Sequence, residues 1–452
     1  MTHHRLIVSA LSAATIVLWA HGPAQPQLPA TVPLFVGRHL VGEIPAADLA
    51  ADWLGNPANI NADRSLLIRD LGVVEDPART CDPTTMVSCT LGAWTLGYLL
   101  SQIANEEATG IAPVEFARRW LASWSEAQYV NGQVLASDGN SNLDAVAIWR
   151  SLSPSGVLDL TRLPFRLLAI VNRIDQRDPD VPGHAGEARF VFGLIASNGA
   201  ALPFTVVLEY RIDRGDHACV VAWGERWAEL ALYDPGTDAY KSRLQSLTDE
   251  FTRKGAAPYR PINRSALAQV RTFRFMIALG DFELREFTLD PLSGLLRPSA
   301  VARTPVFTLK TAPELTAWVH QHLGADGGLP VPSEVGGVPF AGALARVSYP
   351  GGHWRPPGLA PLPRHLFALG TCDGCHYRET TLGAPVAHAF HHVKPRAAGS
   401  TSALSGFLTG TEVDDPDGQT RYRFNDLLRR AQDLDALVRG PAKTRPRLLT
   451  AH

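Results

Sequence analysis

The chain has 452 residues, 45% of them hydrophobic and 19% charged, with acids and bases interspersed to a formal net charge of −2. That is enough apolar material for two or three folded domains and excludes a disordered chain. The charge balance leaves no electrostatic footprint for nucleic acid and no basic stripe for an anionic membrane, so partners must be met by shape or at a specific site.

The first residues read as an export signal. Arg5 and two histidines precede an apolar run over residues 6–20, and Gly22-Pro23-Ala24 supplies small residues for cleavage. The run is shorter than the roughly 20 residues that span a bilayer, and no cysteine follows it where lipid could be attached. The expected mature chain therefore starts after residue 24, carries no membrane span, and is periplasmic or secreted. Five cysteines are too few for a disulfide framework in a chain of this size. Cys81 and Cys89 are close enough to close a small loop in an oxidising compartment, and Cys219 is left over.

Residues 25–45 are proline-rich and read as an extended lead-in. Trp94, Leu96, Leu99, Leu100 and Ile103 recur with helical spacing that ends near Gly110. Phe116, Trp120, Leu121 and Trp124 define a second amphipathic helix opened by Pro113. The apolar runs at 165–171, 190–195 and 204–210 suit strands in the middle of a sheet. Leu244, Leu247 and Phe251 mark a further helix, and residues 282–289 and 295–306 read as a strand pair joined across Asp290-Pro291-Leu292-Ser293-Gly294. Residues 46–310 thus form a larger mixed domain, and the fold class is α+β.

A helix and a glycine- and proline-rich linker follow over 311–363, where Gly327-Gly328, Gly336-Gly337, Gly351-Gly352 and Pro356-Pro357 interrupt regular elements. The remainder, 364–452, reads as a small, mainly helical segment. It has a helix-like approach to Gly370, a cysteine site, a histidine-rich stretch, and a terminal helix with Phe424, Leu427, Leu428, Ala431, Leu434, Leu437 and Val438 on one face.

The cysteine site, Cys372-Asp373-Gly374-Cys375-His376, carries the chemistry. In covalent haem attachment two thiols add across the porphyrin vinyl groups, and the next residue supplies an axial imidazole to the iron. The export signal sends the chain to the compartment where such ligation happens. Two rival readings use the same residues. One is a Cys372–Cys375 disulfide or thiol pair; the other is a zinc site completed by two imidazoles from His388, His391 and His392. His376 favours haem, since neither zinc nor a disulfide needs a histidine immediately after the second cysteine. Of the three methionines, Met1 leaves with the signal and none follows the motif. The second axial ligand is then Met86 or Met276 reaching across, a second histidine, or nothing. His388, His391 and His392 would share a helical face, and His392, with His391 as the alternative, is the choice among them.

The segment around Cys372, Cys375 and His376 resembles the haem-attachment segment of c-type cytochromes. The resemblance implies a cytochrome c-like segment with thioether bonds at Cys372 and Cys375, His376 as proximal ligand, and electron transfer with a redox partner protein. The missing distal methionine departs from that pattern. Gly92-Ala93-Trp94-Thr95, Val171-Asn172-Arg173-Ile174-Asp175, Gly186-Glu187-Ala188-Arg189-Phe190-Val191-Phe192-Gly193, Glu283-Leu284-Arg285-Glu286-Phe287 and Ser405-Gly406-Phe407-Leu408-Thr409-Gly410 make the whole chain similar to a group of exported bacterial proteins of unassigned function. That likeness implies a two-part architecture and no substrate.

Other polar clusters read as structural. Asn172, Arg173 and Asp175, with His184, Glu187 and Arg189, suit a buried ion-pair network tying strands together. Asp414, Asp415 and Asp417 before Gly418 read as a solvated turn, since a calcium loop would need a downstream acid. No zinc-protease, serine-hydrolase or phosphate-loop motif occurs. The expected activity is electron transfer by an exported monohaem protein. The alternative is a non-redox exported binding or structural protein.

Overall fold

The computed structural model describes the backbone of residues 31–36 and 39–45, and of residues 59–439 apart from 86–88, 138–143, 179, 261, 277–280, 324–330, 348–352, 381–389 and 416–419. The expected signal peptide lies outside the described residues, as do Met86, His388, Asp417 and Gly418. Among the described residues no helix is long and apolar enough to cross a membrane. Within the expected lead-in, Thr31–Val36 and His39–Pro45 pair as an antiparallel hairpin.

The structure is α+β, built around one antiparallel sheet. Its strands are β1 (Leu67–Ile68), β2 (Phe165–Arg173), β3 (His184–Ile195), β4 (Ala201–Asp213), β5 (Leu267–Met276), β6 (Asp281–Leu289) and β7 (Leu296–Ser299), in the spatial order β7-β6-β5-β4-β3-β2-β1. An eighth, β8 (Ala345–Val347), pairs with β6 beyond the end of β7. From β2 to β7 each strand lies beside its sequence neighbour, so simple reversals build most of the sheet.

Strand alternation sorts the side chains into two sets. Ile170, Phe190, Phe192, Leu208 and Val270 face one core, where they meet α1 (Leu96–Ala104), α2 (Pro113–Ala122), α3 (Ala145–Leu152), α4 (His217–Glu229) and α5 (Asp238–Thr252). Val171, Val191, Val207, Phe273 and Phe282 face a second core shared with Cys372, Cys375, Phe390, Phe407 and Leu427 of the C-terminal part. Both faces of this antiparallel sheet are therefore covered, where such sheets commonly leave one to water. Every described position of β2 is buried.

The helix caps follow sequence chemistry. The Thr95 hydroxyl accepts from the Tyr98 N–H to start α1, and Asp216 and Thr237 open α4 and α5 likewise. Asn105, at φ 47°, ends α1 five residues before the expected stop, and a short turn at Glu106–Thr109 completes the segment. After α6 (Pro313–His322), the C-terminal part contributes α7 (Pro361–Leu369), a hairpin of β9 (Thr411–Asp414) and β10 (Arg421–Phe424), and α8 (Asp426–Arg439). Phe424 therefore ends a strand and does not belong to the terminal helix as expected; Asp426 begins it.

Helix α8 locks the two cores together. Leu427 lies in the second core, while Ala431 and Leu434 lie in the first. A Cβ at Gly224 of α4 would sit 3.1 Å from Leu437 and 3.2 Å from Leu434, so a larger residue there would push these side chains back by a few tenths of an ångström. Arg396 adds a second tie, donating to the Leu167 and Val74 carbonyls and pairing with Glu75.

Phe192 is 1% exposed in the first core, whereas Leu292 is 91% exposed. Phe192→Ala should lower unfolding free energy by about 3–5 kcal/mol, and Leu292→Ala should change it by less than about 0.5 kcal/mol. Urea unfolding followed by tryptophan fluorescence measures both.

Candidate functional site

The motif follows directly after α7. Residues Gly374–Arg378 wind as a π-helical turn, a form concentrated at functional sites. Glycine at 374 is a packing requirement, since a Cβ there would stand 1.9 Å from the Ala368 carbonyl oxygen. The Cys372 N–H donates to Thr304 Oγ1 at 3.0 Å, and the Thr380 hydroxyl donates to the Cys375 carbonyl at 2.5 Å. Both cysteines are fully buried and not joined to each other. Burial pushes the Cys372 thiol up to about 11 and Cys375 up as well, so both stay protonated at neutral pH. Asp373 between them is pushed up to about 6 by burial, against a hydrogen bond from Trp354 Nε1 at 3.0 Å. Elsewhere, Cys81 and Cys89 are joined as a disulfide with Cα atoms 5.7 Å apart.

His376 is oriented from several sides. Its Nδ1 lies 2.6 Å from the Phe390 carbonyl oxygen; a carbonyl only accepts, so Nδ1 carries the proton. The ring lies between Phe273, at 4.6 Å, and Phe282, nearly parallel at 5.3 Å. Burial holds its pKa well below the usual histidine range, assisted by His392, Arg271 and Arg189. A neutral ring protonated on Nδ1 keeps the Nε2 lone pair for a metal, and the Nδ1–H···O=C bond is the orienting contact that metal-bound histidines use.

The structure brings His392 to this ring and leaves His391 to one side. The His392 ring centroid is 4.4 Å from that of His376, and its Nε2 is 3.6 Å from Cys375 Sγ. Its Nδ1 is 2.8 Å from Ser405 Oγ. Half-buried His392 is pushed down to about 3, first by desolvation and then by Arg430 and Arg173. His391 Nδ1 instead meets Thr205 Oγ1 at 3.1 Å. The expected helical face is corrected here: His391 and His392 are not helical, and the irregular segment ends in an isolated bridge between Val393 and Leu404. Met276 closes β5.

A cavity of about 70 Å³ lies between the sheet and this layer, lined by His376, His391 and His392. Leu67, Val171, Val191, Val207 and Phe273 form its apolar wall on the sheet side, and Arg173, Arg189 and Arg430 also line it. The first two arginines belong to the cluster read from sequence as an ion-pair network, and the pairs are there. Arg173 binds Asp175 through Nε at 2.9 Å and Nη2 at 3.0 Å, and Arg189 binds Glu187 through Nε at 3.0 Å. Arg429 joins Asp175 at 2.6 Å, and Arg430 joins Asp426 at 2.6 Å. That both lone pairs and guanidinium edges would also wall a cavity was not legible, because Arg430 sits 241 positions beyond Arg189 and no local spacing links them.

A second buried polar group lies behind the motif. Arg364 reaches Glu379 at 2.7 and 3.0 Å and Asp415 at 2.6 Å, while His365 Nδ1 is 2.7 Å from Glu379 Oε2. Among the described residues, His365, Glu379 and Asp415 are the only three or more such donors within 4.8 Å of one another. Arg364 bonds both carboxylates, so the group is held as an ion-pair network. Asp415 is 4% exposed, which corrects its reading as part of a solvated turn. Cys372, Cys375 and the described histidines are not gathered within that distance as a zinc tetrad.

Against haem, the donor chemistry fits: two thiols, a tautomerically fixed imidazole and a second neutral imidazole beside it. The free volume does not fit a porphyrin, since about 70 Å³ falls far below the roughly 300–1,000 Å³ of ordinary ligand pockets. Attachment would have to precede this packing or part the layer containing Phe390, His392 and Leu408 from the sheet. Comparison with protein-family models, curated proteins and solved structures finds no match for this chain.

The neutral imidazoles set an acid limit. Below the free histidine pKa of about 6.5, the unfolded chain takes up protons that folded His376 and His392 refuse. Their stability contribution is therefore full above about pH 7 and falls as pH drops, by up to ~1.4 kcal/mol per pH unit for each ring. His184, also held down by burial, adds to the same slope. Urea midpoints should fall between pH 7 and pH 5, and His392→Gln should make that fall shallower.

Proposed function

We propose that this chain is an exported monohaem c-type protein that transfers electrons, with haem joined at Cys372 and Cys375, His376 as one axial ligand and His392 as the other. The carrying observation is His376 itself, buried and neutral, with Nδ1 donating to the Phe390 carbonyl at 2.6 Å. That contact prepares Nε2 as a ligand and has no use in a disulfide. Haem would supply the one-electron couple. The chain's residues fix the ring orientations and keep both imidazoles unprotonated. His392 is preferred over His391 because its ring is the one beside His376.

A second reading rests on the small cavity. An exported binding protein without haem, its Cys375 thiol held by His392, accounts for the closed packing without any rearrangement. One preparation separates the two. Periplasmic protein from a host able to ligate haem should carry one covalent haem per chain, seen as a Soret band and a mass increment that survive denaturation. Cys372→Ala/Cys375→Ala should remove both signals, and His392→Gln should let the reduced protein bind carbon monoxide. Recovery of soluble wild-type protein at its bare polypeptide mass from that host would overturn the haem reading.

A further inference from the structure

The cavity beside His376 has an unusual chemical balance. Its lining includes three guanidiniums, three imidazoles and the Thr205 hydroxyl, the rest is aliphatic or aromatic, and among the described residues no carboxylate lines it. Arg173, Arg189 and Arg430 are 1%, 6% and 3% exposed. Arg173 is the informative member. Asp175 holds its Nε and Nη2, whereas Nη1 is buried and makes no hydrogen bond. A charged donor left unsatisfied in the interior costs several kcal/mol unless something accepts from it. Water would serve in part, since the cavity of about 70 Å³ exceeds several times the ~10–15 Å³ that one water needs. Asp175 already balances the charge of Arg173, so what is left is the Nη1 donor, and planar guanidinium is the side chain best matched to oxygen pairs of carboxylates and oxyanions.

We infer that this cavity is a binding site for a small oxyanion or a carboxylate group, with Arg173 Nη1 as its principal donor and Arg189 and Arg430 beside it. Pairing with Asp175 holds the guanidinium in place, so the ligand meets a pre-oriented donor. The neutral state of His376 and His392, each held down partly by these arginines, belongs to the same positive potential. The apolar wall from β2 to β5 limits the site to small ligands or to one carboxylate of a larger molecule. Two sources share that chemistry: a free anion, and the carboxylates of a haem attached to this chain.

The test is calorimetric titration of the full mature chain with inorganic phosphate and with acetate at constant ionic strength. It is run on protein from a host lacking haem ligation and on protein from a ligating host. Arg173→Lys keeps the charge and one contact to Asp175 but removes the unused nitrogen, and Val207→Phe fills the cavity from the opposite wall. Saturable binding of either probe that falls at least tenfold in Arg173→Lys and vanishes in Val207→Phe supports the site, with thermal unfolding confirming that the variants are folded. Binding to both preparations identifies a free anion as the occupant. Binding to the haem-free chain alone assigns the site to haem carboxylates. No saturable binding by either preparation overturns the inference, as does undiminished binding in folded Arg173→Lys.

Discussion

Burial of the second face of the sheet is the constraint on which the rest depends. That face carries Arg189, Glu209, Arg271 and Glu286, all buried, and half-buried Glu187 among its valines and phenylalanines. Charges taken from water must be matched where they lie, or each would cost several kcal/mol. The match is made across strands: Arg189 and Arg271 each stand 3.4 Å from Glu209, and Arg271 stands 3.3 Å from Glu286. At the end of β2 the same rule recruits α8, whose Arg429 and Arg430 bracket Asp175 and Asp426. Helix α8 is placed by charge as much as by its apolar stripe.

From this follows the character of the candidate site. A Cys-x-x-Cys-His segment on an exposed loop would have imidazoles near their ordinary pKa and thiols open to oxidation. Here the segment is pressed against Phe273 and Phe282, and desolvation first, with neighbouring positive charge second for the rings, keeps the thiols protonated and the rings neutral. The layer that confers these properties also occupies the space a porphyrin would need. The proposed haem and the observed packing are thus alternatives in volume, though not in donor chemistry.

Much of the first half was legible because its elements bury one apolar face each. Helices α1, α2 and α5 and strands β2, β3 and β4 follow the expected periodicities, with Asn105 shortening α1 through a left-handed backbone that no spacing announces. Strand β5 was missed because Arg271 and Arg274 interrupt its apolar run, and a buried arginine reads as exposed until its partner is known. Helix α4 was missed for a related reason: its stripe is only Val220, Trp223, Gly224 and Trp227, and the glycine faces α8. In the site, Cys372, Cys375 and His376 declared themselves by local spacing. His392 and His391 were found as candidates, but their separate fates depend on Ser405 and Thr205, which only the fold brings near. The ion pairs of Arg173 and Arg189 were legible as pairs, while their second role needed α8 to close the cavity.

The arginines also bear on what a redox centre here could do. Two imidazole ligands place a haem potential below that of a histidine and methionine pair, because the thioether stabilises the reduced iron. Fixed positive charge at close range acts in the opposite direction, since it favours the state with one more electron, and low local polarity enlarges the effect. Arg173, Arg189 and Arg430 line the space beside His376, but Asp175, Glu187 with Glu209, and Asp426 pair them, so in the electron-transfer reading only what those pairs leave uncompensated would raise the potential that the ligands alone would set. An anion seated against Arg173 would cancel part of that charge and lower the potential again. Occupancy of the cavity and electron affinity of the proposed centre are then linked through a single buried guanidinium.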